Sequence, residues 1–159
     1  MVADEYLRRT AVTRLSVSDE QASLLEETID SWRRGANIAA SVGWNRSETR
    51  KRKLQSLAYD KIRDETDLGS QHAILACFQA AEALKGILDQ DESSRGRSKP
   101  EFTAPTVTYD ANTMTLFDDD TVSLSTTENR IRCDLCLPAD ESERVIEEFS
   151  RFAESALAD

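Results

Sequence analysis

The chain has 159 residues, of which 39% are apolar and 31% charged: enough for one domain with a real core or two small interleaved lobes, and too apolar for a disordered chain. Its 30 acidic residues against 20 basic ones leave a formal charge of −10, which taken alone repels nucleic acid, and its three cysteines argue for a reducing compartment and against a disulfide framework. The longest apolar run, Ala73–Phe78, falls far short of the ~20 residues that cross a bilayer, and Met1–Tyr6 lacks the basic-then-apolar pattern of a secretory signal, so no membrane partner and a cytoplasmic location are expected.

Arg8–Val17 (RRTAVTRLSV) is rich in β-branched residues and predicts a first strand. Ser18-Asp19-Glu20-Gln21 then fits a capping box. It opens a helix with Ala22, Leu25, Ile29, Trp32, Ala36 and Ala39 on one face, running to about Val42 and stopping near Gly43. Asn45–Lys53 (NRSETRKRK) reads as a polar, basic connection. A second helix is expected over Ser56–Thr66, and a third from Ser70 or Asp67, with Ile74, Leu75, Phe78, Ala81, Leu84 and Leu88 as its buried stripe. Asp89–Pro100 has loop composition.

The period then changes. Thr106–Asp110, Thr113–Phe117, Thr121–Ser125 and Ile131–Leu137 are short Thr/Val/Leu-rich segments with hairpin-sized connections, hence four strands. The tail Ala139–Asp159 predicts an acidic amphipathic helix with Val145, Phe149, Phe152 and Ala156 on one face. One strand thus stands far in sequence from its natural partners. The simplest arrangement that pairs it is an α+β fold: a small β-barrel begun by residues 1–17, interrupted by a three-helix lobe over 18–98, completed by 99–138, and followed by the tail helix 139–159.

The basic residues are 15 arginines and only 5 lysines. Excess carboxylate with little lysine is what a salt-loving cytoplasm favours, where the Debye length falls to about 3 Å at 1 M and screens self-repulsion. A binder there depends less on bulk charge and more on stacking, hydrogen bonds and shape.

Arg8-Arg9-Thr10-Ala11-Val12-Thr13-Arg14-Leu15, the SLAYDKIRDETDLGSQHAILA segment from Ser56, and the KPEFTAPTVTYDANTMTLFDDDTVSLSTTENRIR segment from Lys99 resemble, in order, the N-terminal part of TnpB proteins, the OrfB proteins of insertion sequences, especially those of haloarchaea. The likeness covers roughly residues 6–138. It implies a wedge-type β-barrel with a helical recognition lobe inserted after the first strand. Barrel and lobe would grip a structured guide RNA and read a short motif in the double-stranded DNA beside the target. The family's RuvC-type nuclease domain, with its metal-holding acidic residues and zinc ribbon, has no counterpart in this sequence, and the last ~20 residues depart from the family's continuation by their helical period. Binding without cleavage is therefore expected, with no catalytic residue, metal or cofactor.

The resemblance places Tyr59 at a motif-reading position, where an aromatic stacks on bases at about 1–3 kcal/mol each; the plainer reading is a helix aromatic packed on the core. Ser70 and Gln71 open the third helix, whose free N–H groups attract phosphate and whose glutamine suits an adenine edge; the plainer reading is an ordinary cap. His72, the only histidine, reads as a surface or hydrogen-bonding residue. Tyr109 and Asp110 stand where the family makes further motif contacts, against a strand-end tyrosine and a turn aspartate. Arg46, Arg50, Lys51, Arg52 and Lys53 form the densest basic cluster and suit phosphate, against a solvated charged loop. Arg8, Arg9, Arg14 and Lys99 are weaker candidates of the same kind. Cys133 and Cys136 form a lone C-x-x-C on a strand, whose odd spacing puts the sulfurs on opposite faces, so structural cysteines are expected. Asp118-Asp119-Asp120 reads as a solvated hairpin turn. A competing function is a protein-interaction or dimerising regulatory module that uses the tail helix.

Overall fold

The computed structural model describes residue 10, residues 12–89 and residues 98–136. Along the chain these form strand β1 (Arg14–Ser16), helices α1 (Asp19–Arg46), α2 (Lys51–Glu65) and α3 (Ser70–Leu88), and strands β2 (Met114–Leu116), β3 (Thr121–Ser125) and β4 (Arg130–Cys136). The class is α+β. Arg8, Arg9 and the tail helix expected over 139–159 lie outside the described residues.

The sheet is antiparallel, in the order β1-β4-β3-β2. The opening strand therefore pairs with the last one, Leu15 opposite Leu135, across three intervening helices. Among the described residues this sheet is open, with β1 and β2 at its edges. Alternation sorts its two faces. Val122, Leu124, Ile131 and Cys133 point inward and pack on Leu24 and Leu25 of α1, while Arg130, Arg132 and Cys136 are exposed. Cys133 is buried and Cys136 exposed, as odd spacing on a strand requires. The triple aspartate forms the β2–β3 turn, with Asp120 at φ 62° and Phe117 N–H bonded to Thr121 O at 3.0 Å.

The segment expected as a strand over Thr106–Asp110 is not one. Its composition favours extended backbone, but it joins no ladder among the described residues: Tyr109 O–H donates to Ser125 O at 2.8 Å and Asp110 N–H to the Thr113 hydroxyl at 2.8 Å. Just upstream, Asn37 takes the place of a ladder partner: its side chain accepts from Phe102 N at 2.7 Å and donates to Phe102 O at 3.1 Å. Phe102 and Val107 are then laid against the helical core.

The helices begin where local chemistry provides a cap. Ser18 Oγ accepts from Gln21 N and Gln21 Oε1 accepts from Ser18 N, both at 3.1 Å, the reciprocal pair expected. Gln21 Nε2 also donates to Arg132 O at 3.0 Å, which ties the start of α1 to β4. The helix does not stop at Gly43. It continues to Arg46 and ends on Ser47 in the left-handed region, φ 52°. Gly43 is instead buried where helices meet: a Cβ there would collide with Leu84 Cδ1 of α3 and stand 3.0 Å from Glu48 O. Gly35 serves the same close approach, with Leu68 Cδ1 at 2.8 Å from its would-be Cβ. The facing surfaces are built of Ala36, Ala39, Ala40, Ala58, Ala73, Ala76 and Ala80, closed by Trp32, Leu54, Ile62 and Leu84.

The connection expected over Asn45–Lys53 is shorter than its composition implies. α2 starts at Lys51, so Lys51, Arg52 and Lys53 form its first turn. The physical reason is Glu48, whose carboxylate accepts from Arg50 N at 3.1 Å and from the Arg50 guanidinium at 3.1 and 2.8 Å. That places a negative charge at a helix N-terminus, where the macrodipole favours it.

Thr28 also stitches α1 to the sheet. Thr28, fully buried in α1, donates to Leu24 O at 2.7 Å and accepts from Thr127 N in the β3–β4 connection at 3.1 Å. Thr28→Val keeps the shape and leaves the Thr127 N–H without its acceptor. A loss of about 1–3 kcal/mol is expected, read from urea unfolding, with Thr28→Ser restoring most of it. Equal stability of the Val and Ser variants would remove this bond from the fold's energetics.

Candidate functional site

The first turn of α3 meets the turn that leads into β2. Gly69, the N-cap of α3, offers no side chain, so the first amides of the helix have no side-chain cap. Gln71 Nε2 donates to Asp110 Oδ2 at 2.9 Å. The other oxygen, Asp110 Oδ1, accepts from Asn112 N at 3.0 Å, Thr113 N at 3.1 Å and Thr113 Oγ1 at 3.0 Å. Burial raises the Asp110 pKa, but these bonds outweigh it and hold the carboxyl below its ordinary value.

Behind this pair lies an aromatic stack. His72 is 2% exposed, so of the two readings, surface or hydrogen-bonding, the surface one fails. Its ring stands edge-on to Tyr109 at 4.9 Å and to Trp32 at 6.1 Å. Desolvation lowers its pKa, against a smaller upward pull from Asp110, so the imidazole is held neutral. Its Nε2 is buried without a hydrogen-bond partner among the described residues. Tyr109 O–H donates to Ser125 O at 2.8 Å, and burial pushes the phenol up to about 12.

A cavity of about 240 Å³ opens here. Its walls are the start of α3 (Gly69, Ser70, Gln71, His72), the Asn112–Thr113 turn and residues 125–130 except Thr127. Arg130 closes one side, donating to Ser123 Oγ at 2.6 Å, Thr115 Oγ1 at 2.9 Å and Asn112 O at 3.2 Å. Next to it on the outer sheet face, Arg132 lies 3.8 Å from the centre of the Phe117 ring and bonds Asp119 at 3.0 Å. Neither arginine stands out in the sequence as a site residue, although the alternation in Arg-Ile-Arg-Cys puts both on one face.

Ser70, Gln71, Tyr109 and Asp110 are thus brought together. The basic cluster is not part of that group. Lys51 bonds Glu82 at 2.9 Å, and Glu82 lies about 18 Å along the α3 axis from Ser70 at 1.5 Å per residue. Arg50 is engaged by Glu48 at 2.8 Å. Lys51 and Arg52 stand over the Phe78 ring at 5.7 and 5.8 Å, and Lys53 is exposed. Tyr59 packs against the helical core with its hydroxyl accepting from Arg63 at 3.0 Å. Lys99 donates to Ser41 at 3.0 Å, and Arg14 sits exposed on edge strand β1.

Among the described residues no cluster of three or more metal-ligating side chains occurs, and no helix is long and apolar enough to cross a membrane. Comparison with protein-family models, curated proteins and solved structures finds no match to the chain.

Proposed function

We propose that this chain is a nucleic-acid-binding module: the guide-RNA-gripping and motif-reading part of a TnpB-type RNA-guided DNA endonuclease of an insertion sequence, binding in the cytoplasm without cutting. On this reading the open sheet belongs to a small wedge-type barrel and α1–α3 are its inserted recognition lobe. The observation that carries the reading is the Gln71–Asp110 bond across 39 residues. It joins the first turn of the third lobe helix to the first turn of the sheet segment, and Gln71 lines the cavity that Ser70, Asn112, Glu128 and Arg130 also wall. The arginines of the outer sheet face, one stacked on Phe117, suit the backbone and bases of an RNA strand.

The test is mobility shift of the purified chain in molar salt with RNA from the transposon end and with a target-adjacent duplex. Retardation of both is expected, and retardation of neither overturns the proposal. The basic cluster has a sharper expectation. Arg50 and Lys51 are already held by Glu48 and Glu82, whereas Arg52 and Lys53 are free of such carboxylate partners among the described residues. Arg52→Gln with Lys53→Gln should lower the slope of log affinity against log salt by roughly 1.4–1.8, at about 0.7–0.9 for each phosphate no longer neutralised. Arg50→Gln with Lys51→Gln should lower it less. An unchanged slope in the first pair takes this turn out of the RNA-binding surface.

A further inference from the structure

Asp110 uses its two oxygens differently, and that difference fixes what Gln71 shows to a ligand. Oδ1 faces two backbone N–H groups and the Thr113 hydroxyl, so an acceptor is obligatory there. Oδ2 faces Gln71 alone among the described residues. A carboxylate only accepts, so it turns the Nε2 end of the Gln71 amide toward itself and leaves Oε1 as the outward acceptor. Oε1 enters no hydrogen bond among the described residues, and Gln71 lines the cavity. On the same wall, His72 Nε2 is buried and has no hydrogen-bond partner among the described residues. Buried polar atoms are normally paired, so the cavity offers two polar positions that a ligand can complete.

We infer that Asp110 is a positioning residue for specificity: it locks the Gln71 amide so that Oε1 reads the exocyclic amino group of a nucleic-acid base, adenine or cytosine, at the mouth of this cavity. The inference rests on the nucleic-acid reading above and deepens it. In the major groove adenine N6 and cytosine N4 donate, while guanine O6 and thymine O4 accept. An outward acceptor therefore selects the amino bases and rejects the keto bases.

A single-atom exchange inverts the device. In Asp110→Asn the turn amides still demand an oxygen at the δ1 position, which puts the new NH2 at δ2, facing Gln71. Two donors cannot share that position, so the Gln71 amide turns by 180° and presents Nε2 outward. Selection of duplex from a pool randomised over the binding register is expected to show one position where the wild-type chain prefers an amino base by about tenfold, within the usual range for a good base contact. In D110N that position prefers a keto base. Gln71→Met, which leaves the Asp110 turn untouched, loses the preference there and keeps the others. An unaltered preference in Q71M overturns the assignment whatever D110N does, and an unaltered preference in folded D110N overturns the locking role of Asp110. In both cases a wild-type chain that still selects sequence leaves the nucleic-acid reading standing. A wild-type chain that selects no sequence removes motif reading and this inference with it.

Discussion

Leu84→Ala is expected to cost about 3–4 kcal/mol of unfolding free energy, and Gly43→Ala is expected to give part of it back. Leu84 is fully buried and lies at the centre of the three-helix core, where truncating a leucine removes its transfer energy and leaves a cavity. Gly43→Ala alone involves two opposed effects. Alanine is the better helix former by about 1 kcal/mol. Its methyl would strike Leu84 Cδ1 and stand at 3.0 Å from Glu48 O and 3.2 Å from Leu54 Cδ1, and overpacking of this kind costs about 1–3 kcal/mol. Overpacking wins, by a small margin, because the Glu48 carbonyl belongs to a backbone turn fixed by Glu48 N–H on Gly43 O at 2.8 Å and cannot swing aside as a leucine tip can. In the double variant the added methyl fills part of the hole left by Leu84. The two changes should therefore couple favourably by about 1 kcal/mol or more, within the range seen for touching residues. Urea unfolding of the wild type, both single variants and the double variant measures this. Additive losses would mean that α1 and α3 do not approach as closely as Gly43 and Leu84 require.

That pair also shows where sequence reading stops. A glycine after an apolar helical run is a sound local signal for a helix end, but the need that placed Gly43 there comes from a residue 41 positions away. Local rules see a helix's own cap and not its neighbours. They find Ser18 and Gln21 because the capping box closes within four residues. They miss the early start of α2 because its N-terminal carboxylate, Glu48, lies inside a stretch that reads as basic. The strand expected over 106–110 fails for a related reason. Extended propensity needs a ladder partner, and here the Asp110 N–H goes instead to the Thr113 side chain of its own turn. At the candidate site, Gln71, Tyr109 and Asp110 are legible as residue types. Their mutual arrangement is not, because a pairing across 39 residues leaves no periodic trace. The same limit hides His72: in sequence it reads as a surface or hydrogen-bonding residue, and the packing of Trp32 and Tyr109 against it is what buries it.

Lowering the pH from neutral is expected to destabilise the protein in two windows set by different residues. The upper one belongs to His72. Burial depresses its pKa in the folded chain, so below the unfolded value of about 6.5 the unfolded state binds the proton first. Stability is then present in full above that value and falls as the pH drops through it toward the folded pKa, with a slope of at most about 1.4 kcal/mol per pH unit for one proton. Tyr109 stays uncharged over this range, and the carboxylate of Asp110 reduces the effect without reversing it. The lower window belongs chiefly to Glu48. The Arg50 guanidinium and amide hold its pKa at about 2 against 4.5, so its contribution is present above 4.5 and is lost as the pH falls from there toward 2. His72→Phe keeps a ring edge-on to Trp32 and Tyr109 and removes the titrating group, and it should flatten the upper window alone. Glu48→Gln removes the lower charge and should flatten only the lower window. Asp110 and Asp119, also held below their ordinary values by hydrogen bonds, leave some acid sensitivity behind. Denaturant midpoints of the three proteins between pH 3 and 8 resolve the two. If His72→Phe leaves the slope near pH 6 intact, the proton comes from another group, and the imidazole is not buried neutral in the native state.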